Sequence, residues 1–252
     1  MRRFGAVAWL WAALLALSGC AGHDRGVLWR IVHGACVPHE AAGAGPAPCM
    51  AVHPRAGYAL LKDRDGATQV LLIPTARVTG IEDPAVLAPG APDYLALAWD
   101  NRGVVGRLAG RAMPRQDLAL AVNSIAGRTQ DQLHIHIDCI RADVRDALAA
   151  RVGRIDMGWR PIAAPLAGAP YLARLLDAPT LAGVNPFRLL ADQVPGAAEA
   201  MGQWTLVVAG ARLPPDGRPG FVLLAGHTDP ATGDRGAGEQ VQDHGCALAR
   251  AP

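Results

Sequence analysis

Residues Asn123–Arg141 read NSIAGRTQDQLHIHIDCIR, and the reading of the second half of that stretch decides the fold. Polar and apolar residues alternate from Gln132 to Cys139, a period of two that predicts a strand over Leu133–Ile140. On such a strand Gln132, His134, His136 and Asp138 share one face, and Leu133, Ile135, Ile137 and Cys139 the other. An edge strand wetted on one side explains a single histidine in that position. Two histidines two residues apart, next to a glycine-bearing turn with Asn, Ser and Thr, suit a phosphate site built from hydroxyls and backbone amides.

Upstream, Asp117–Val122 reads as a second strand, so strand, turn and strand in antiparallel order bring Asn123 and Thr129 towards the histidines. Tyr58–Leu61 and Gln69–Ile73 form a predicted hairpin around Asp63-Arg64-Asp65-Gly66. Pro74 ends it, and a helix is expected near Ile81 with Pro84 in its first turn. Asp93–Leu108 has the spacing of one long amphipathic helix, and Gly26–Cys36 that of a short one. Downstream, ADVRDALAARVG predicts a helix ended by Gly153, and Asn185-Pro186 supplies the cap and first position of another. Trp159–Pro165 and Tyr171–Leu176 read as strands or connections, and Thr205–Val208 with Phe221–Ala225 as a second hairpin.

The chain has 252 residues, 51% of them hydrophobic, enough for a substantial core. Part of that apolar content belongs to Met1–Cys20, where Arg2-Arg3, an apolar run and Leu17-Ser18-Gly19-Cys20 follow in the order of an export signal. It resembles a bacterial lipoprotein signal, in which Cys20 receives the lipid; an uncleaved signal anchor is the alternative, and both place the rest outside the cytosol. Residues 21–252 then form a single domain, with no internal repeat. Of five cysteines, four remain beyond Cys20, an even number that in an exported chain favours disulfides. Three pairings exist; the expected one is Cys36–Cys49, closing a short loop, with Cys139–Cys246 tying the tail behind the histidine strand. A formal charge of +2 argues against nucleic acid as a partner.

Three chemistries compete for His134 and His136. HIHID superficially resembles the HxHxD pattern of metallohydrolases, but further ligands are needed, and Cys139 faces the other way; His227 and His244 could be recruited in principle, but both lie in glycine-rich or terminal segments where exposed histidines are common. The second reading is structural. The third is nucleophilic attack on phosphorus by a neutral imidazole, forming a phosphoramidate that water later hydrolyses. No metal and no cofactor are expected for it.

AGRTQDQLHIHI, Ala126–Ile137, resembles the signature of the histidine-triad superfamily, a glycine turn with Ser or Thr leading into alternating histidines. The resemblance lays Gly127 on the turn glycine, Thr129 on the phosphate-binding hydroxyl, His134 on the middle, nucleophilic histidine and His136 on the last. Gln132 stands where the first histidine would be, to orient phosphate or imidazole. A shifted register, with His134 first and His136 in the middle, misplaces the turn residues. Asn123 falls where an asparagine contacts phosphate, and LLIPTARVTGIED matches a strand that ends in proline. The implied fold is α+β: a histidine-triad-like antiparallel sheet with packed helices, plus a C-terminal helix and hairpin.

LWRIVHGACVP, GYALLKDRDG, LALAWDNR, NPFRLLADQVP and QVQDHGC extend the likeness over nearly the whole chain, which is similar to the bacterial CDP-diacylglycerol pyrophosphatases. That resemblance implies hydrolysis of CDP-diacylglycerol to CMP and phosphatidate, with water as second substrate and membrane lipid as the other partner. His136 and the Gly127 turn would steady the phosphoryl oxygens by donating hydrogen bonds. Two rivals stay open: a hydrolase or transferase of a soluble nucleotide diphosphate, and a non-catalytic lipoprotein that binds nucleotide or lipid.

Overall fold

The structure, a computed structural model, describes residues 24–250. The signal and lipidation expectations on residues 1–20 lie outside the described residues. Among the described residues no helix is long and apolar enough to cross a membrane.

Among the described residues nine strands make one sheet. In chain order they are β1 (Ala51–His53), β2 (Tyr58–Lys62), β3 (Val70–Pro74), β4 (Leu118–Val122), β5 (Ile135–Cys139), β6 (Arg160–Pro161), β7 (Leu172–Leu176), β8 (Trp204–Leu213) and β9 (Arg218–His227). Their order across the sheet is β1-β2-β3-β5-β4-β8-β9-β7-β6, and every pairing is antiparallel. Helices cover both faces, an α+β arrangement. The expected second hairpin is not an appendage: β8 pairs with β4, so the hairpin continues the sheet that carries the histidines. It is also longer than the apolar runs suggest, because Gly210, Pro219, Gly220 and Gly226 interrupt the apolar pattern without ending the pairing. Gly210 is required there; a Cβ would sit 2.1 Å from the Arg115 carbonyl oxygen.

Residues directly opposite across a sheet share a face. Leu61, Leu71, His136, Ala121, Val207 and Leu224 therefore form one continuous row. His136 is the polar member of an otherwise apolar line. At one end Leu61 and Leu71 pack under the helical stretch α1 (Val27–Ile31), a π turn (Val32–Cys36) and α2 (Val37–Ala41). At the other, Ala121, Val207 and Leu224 pack under α5 (Ala142–Ala149) and α7 (Ala247–Arg250). The histidines lie in the gap between these two apolar clusters. The reverse face, with Leu133, Ile135, Ile137 and Cys139, is covered by α3 (Tyr94–Asp100), α4 (Gly103–Leu108) and α6 (Pro186–Gln193). Both faces of β5 are thus buried, and its polar side chains are held in the interior rather than in solvent.

Several expected elements change form. The first helix runs on to Ala41, and the π turn precedes Pro38, whose missing N–H cannot close a regular turn. The helix expected near Ile81 is only a 3-10 turn, Pro84–Val86, capped by Asp83 accepting from the Ala85 N–H at 3.0 Å; Pro89 and Gly90 follow too closely for more. The single helix over 93–108 is two: the Asn101 side chain donates to the Leu97 carbonyl at 2.8 Å and Gly103 follows, so the backbone turns between α3 and α4. The Asn185 cap accepts from Phe187 and Arg188, as its position predicts. Both expected disulfides are present, Cys36–Cys49 and Cys139–Cys246.

Candidate active site

His134 and His136 open into a cavity of about 420 Å³. Asn123, Thr129 and Glu239 line its polar end; Val27, Leu28, Ile31, Leu61 and Leu71 give it an apolar wall, and the β2–β3 turn with Lys62–Asp65 closes one side. Larger grooves exist, such as the one of about 690 Å³ along α4, but its lining of arginines, glycines, apolar groups and a single carboxylate, Asp100, holds no histidine.

His134 is 7% exposed, and its Nδ1 lies 2.7 Å from the carbonyl oxygen of Gln132. A carbonyl only accepts, so Nδ1 carries the proton and Nε2 keeps a lone pair. Burial, and then the neighbouring charge of His136, push the pKa of His134 down to about 4, against the pull of the Gln132 hydrogen bond. The side chain is thus a neutral imidazole across the physiological range, in the tautomer that exposes a nucleophilic nitrogen.

His136 lies edge-on to His134, ring centroids 5.0 Å apart. Its Nδ1 sits 3.2 Å from Glu239 Oε2, and the Gln69 amide nitrogen Nε2 lies against the same Nδ1; the carboxylate accepts from Nδ1–H in the arrangement in which the Gln69 amide is turned to present its oxygen to the ring. Its Nε2 is buried and without a partner. With Nδ1–H turned to a carboxylate, Nε2 accepts when the ring is neutral and donates only when it is charged; the expected hydrogen bond to a phosphoryl oxygen belongs to the charged form.

Glu239 has no counterpart in the sequence reading. It sits on a 3-10 turn, Gly238–Val241, locked to Asn123 in two directions: Asn123 Nδ2 donates to its Oε1 at 3.0 Å and its own N–H donates to Asn123 Oδ1 at 3.3 Å. Burial raises its pKa, but His136, the Asn123 amide, His134 and His244 together outweigh that and hold it below the ordinary value, ionised. Asn123 therefore lines the cavity as the support of a carboxylate. No local pattern marks Glu239, which stands in a glycine-rich connection; it reaches the site only because the tail folds back along β5.

The remaining expected residues divide. Thr129 is exposed on the cavity wall, with its hydroxyl bonded to no protein group. The Gly127 N–H is spent on Ser124 Oγ at 3.0 Å and the Arg128 N–H on the Ser124 carbonyl at 3.0 Å, so these amides shape the loop instead of facing the cavity. Gly127 is glycine because a Cβ would meet the Gly236 carbonyl oxygen at 2.7 Å. The Gln132 side chain turns from the cavity and donates to the carbonyls of Pro74 and Ala76; it is its backbone that orients the imidazole of His134. The loop is pinned from below by buried Arg128, which grips Glu82 at 2.6 and 2.7 Å and also reaches Asp131. That ion pair explains why the proline-ended strand and its turn belong to the site.

Asp138 is fully buried and bridges Thr68 Oγ1 at 2.6 Å and His244 Nδ1 at 2.8 Å. With His136 engaged by Glu239 and Asp138 by His244, the HIHID side chains do not converge, and among the described residues no group of three His, Cys, Asp or Glu is placed to hold a metal ion. His227 lies apart, against Trp204 and the Thr228 carbonyl.

The family model for CDP-diacylglycerol pyrophosphatase matches residues 23–250. A curated CDP-diacylglycerol pyrophosphatase of Yersinia pestis is 42% identical over 221 residues, 88% of this chain and 84% of that protein. The family match spans the strand, the loop and the C-terminal segment that build the cavity, and the chain belongs to the CDP-diacylglycerol pyrophosphatase family.

Proposed function

We propose that this enzyme, a hydrolase of CDP-diacylglycerol as its family membership indicates, releases CMP and phosphatidate by attack of His134 Nε2 on the cytidylyl phosphorus. The observation that carries the reading is the hydrogen bond from His134 Nδ1 to the Gln132 carbonyl, which leaves Nε2 as a free lone pair at the cavity. The nitrogen–phosphorus bond forms as the bond to the bridging oxygen breaks, and phosphatidate departs with the electron pair. A phosphate leaving group is weakly basic, so little acid assistance is required. The Thr129 hydroxyl is placed to bind the phosphoryl oxygens. Water then displaces His134 and completes CMP.

The five strands β1-β2-β3-β5-β4, with His134 immediately before β5 and His136 within it, support a histidine-triad-like architecture for this half of the sheet. The Leu17–Cys20 sequence supports export, lipidation of Cys20 and attachment to the outer face of the cell membrane, with residues 21–252 as one catalytic domain.

Hydrolysis in heavy-oxygen water tests the bond broken. The label is expected in CMP, and His134→Ala is expected to abolish turnover while the protein melts as before. Label in phosphatidate, or an active His134→Ala enzyme, would overturn the mechanism. Mass spectrometry of membrane-extracted protein tests the anchor: an intact Met1–Gly19 segment rejects lipidation.

A further inference from the structure

Two groups stand beside His134 in the cavity: His136, whose Nε2 is buried and unpartnered, and Glu239, which meets the opposite nitrogen of the same ring. Attack by His134 needs neither, because its leaving group departs as a phosphate anion. The second half of the reaction differs. The attacking water must lose a proton as it bonds to phosphorus, and His134 cannot accept it, since its Nε2 is then bonded to that phosphorus and its Nδ1 holds its own proton against Gln132. Another base has to stand beside His134.

We infer that Glu239 and His136 form a carboxylate–imidazole pair that serves the hydrolytic step, with His136 as the base and Glu239 as the residue that positions it. Three features carry this. Glu239 Oε2, 3.2 Å from Nδ1, selects the tautomer with the proton on Nδ1 and the lone pair on Nε2. That ring is in direct edge-on contact with His134, centroids 5.0 Å apart, and both line one cavity, so a base on it stands beside the phosphorus bonded to His134. The carboxylate is itself held by Asn123 Nδ2, and its backbone by the N–H that donates to Asn123 Oδ1; the segment is registered on β5 by Gln242 Nε2, which donates to the carbonyls of Ala119 at 2.7 Å and His136 at 3.2 Å.

The step balances as follows. The water oxygen bonds to the cytidylyl phosphorus, one of its protons passes to His136 Nε2, and the bond from phosphorus to His134 Nε2 breaks with its electron pair returning to that nitrogen. The imidazolium so formed is neutralised by Glu239, whose side chain is 32% exposed and gives the proton a path to solvent.

The inference rests on His134 as nucleophile, and the experiment separates the two. CDP-diacylglycerol labelled at the cytidylyl phosphorus is mixed with native enzyme, Glu239→Gln and Glu239→Asp in detergent micelles. Reactions are quenched in alkaline denaturant, and phosphatidate, CMP and protein-bound label are followed. In Glu239→Gln the first equivalent of phosphatidate is expected within about tenfold of the native rate, steady turnover to fall about 10²-fold, and label to build up on the protein stoichiometrically. Glu239→Asp keeps the carboxylate and is expected to clear the label. Equal slowing of both products in Glu239→Gln, with no label retained, would overturn the role of Glu239, and melting curves of the variants expose any loss of fold. Heavy oxygen entering phosphatidate, with no cytidylyl label on any protein, would overturn the nucleophile assignment and the inference with it.

Discussion

In the proposed mechanism a histidine becomes a nucleophile through one carbonyl and the loss of water around it. His134 stays neutral because burial disfavours its charged form, and its reactive nitrogen is selected by the Gln132 carbonyl. Protonation silences Nε2, so kcat/KM is expected to hold as pH falls through the ordinary histidine range and to drop only on approach to pH 4, provided the protein remains folded; an acid limb centred near 6.5 would contradict it. His136→Ala is expected to keep a small residual rate, since a positioned general base is typically worth about 10²–10⁴-fold. His244 shifts the other way: the hydrogen bond to Asp138 raises its pKa, against the cost of burial. Its folded value lies above the unfolded one, so its contribution to stability is complete below the unfolded pKa and fades as pH rises through the folded value. The gap in melting temperature between the native protein and His244→Gln is therefore expected to be widest near pH 5.5 and to narrow by pH 8.5.

At the level of elements, the strand that carries His136 is held by a tail more than a hundred residues away. Glu239 and Gln242 meet His136, His244 meets Asp138, and Cys246 bonds to Cys139, so positions along the tail follow positions along β5. The disulfide closes a loop spanning 107 residues, worth about 4–5 kcal/mol on a chain-entropy estimate, against about 3 for Cys36–Cys49, which spans 13. Cys139→Ser/Cys246→Ser is thus expected to lose more stability in urea than Cys36→Ser/Cys49→Ser. It should also lose more activity, because its tail carries Glu239. A second tie runs under the turn: Glu82→Ala leaves the Arg128 guanidinium buried with only Asp131 beside it, which is expected to cost about 3 kcal/mol.

In the whole molecule the sheet places an ionisable site between two greasy clusters. The helical stretch Val27–Ala41 covers one flank and α5 with α7 the other, and the cavity between them has polar groups at the histidines and an apolar wall along α1. Such a wall suits a substrate with a charged centre and hydrocarbon attached. The proposed chemistry runs on nitrogen and oxygen groups of the chain itself, so activity is expected to survive exhaustive chelation. Activity lost to a chelator and restored by zinc would return the HIHID histidines to the role of ligands.

The sequence alone determined what depends on short range. Alternation in QLHIHIDC placed the strand and sorted its two faces; Asp63–Gly66 and Asn185-Pro186 announced a turn and a cap; an even set of cysteines in an export context led to the pairs that are present. These signals are legible because each is a local preference that tertiary packing reinforced. The tertiary structure alone decided where the long-range partners fall. The break between α3 and α4 turns on whether the Asn101 side chain takes the Leu97 carbonyl, a choice that helical spacing does not record. Gln132 kept its place in the motif, but its side chain went to Pro74 and Ala76 and its backbone to His134. Glu239, 103 residues beyond His136, has no periodicity, cap or motif to mark it. Its position comes from the fold of the whole chain, in which β8 joins the sheet at β4 and returns the tail across β5.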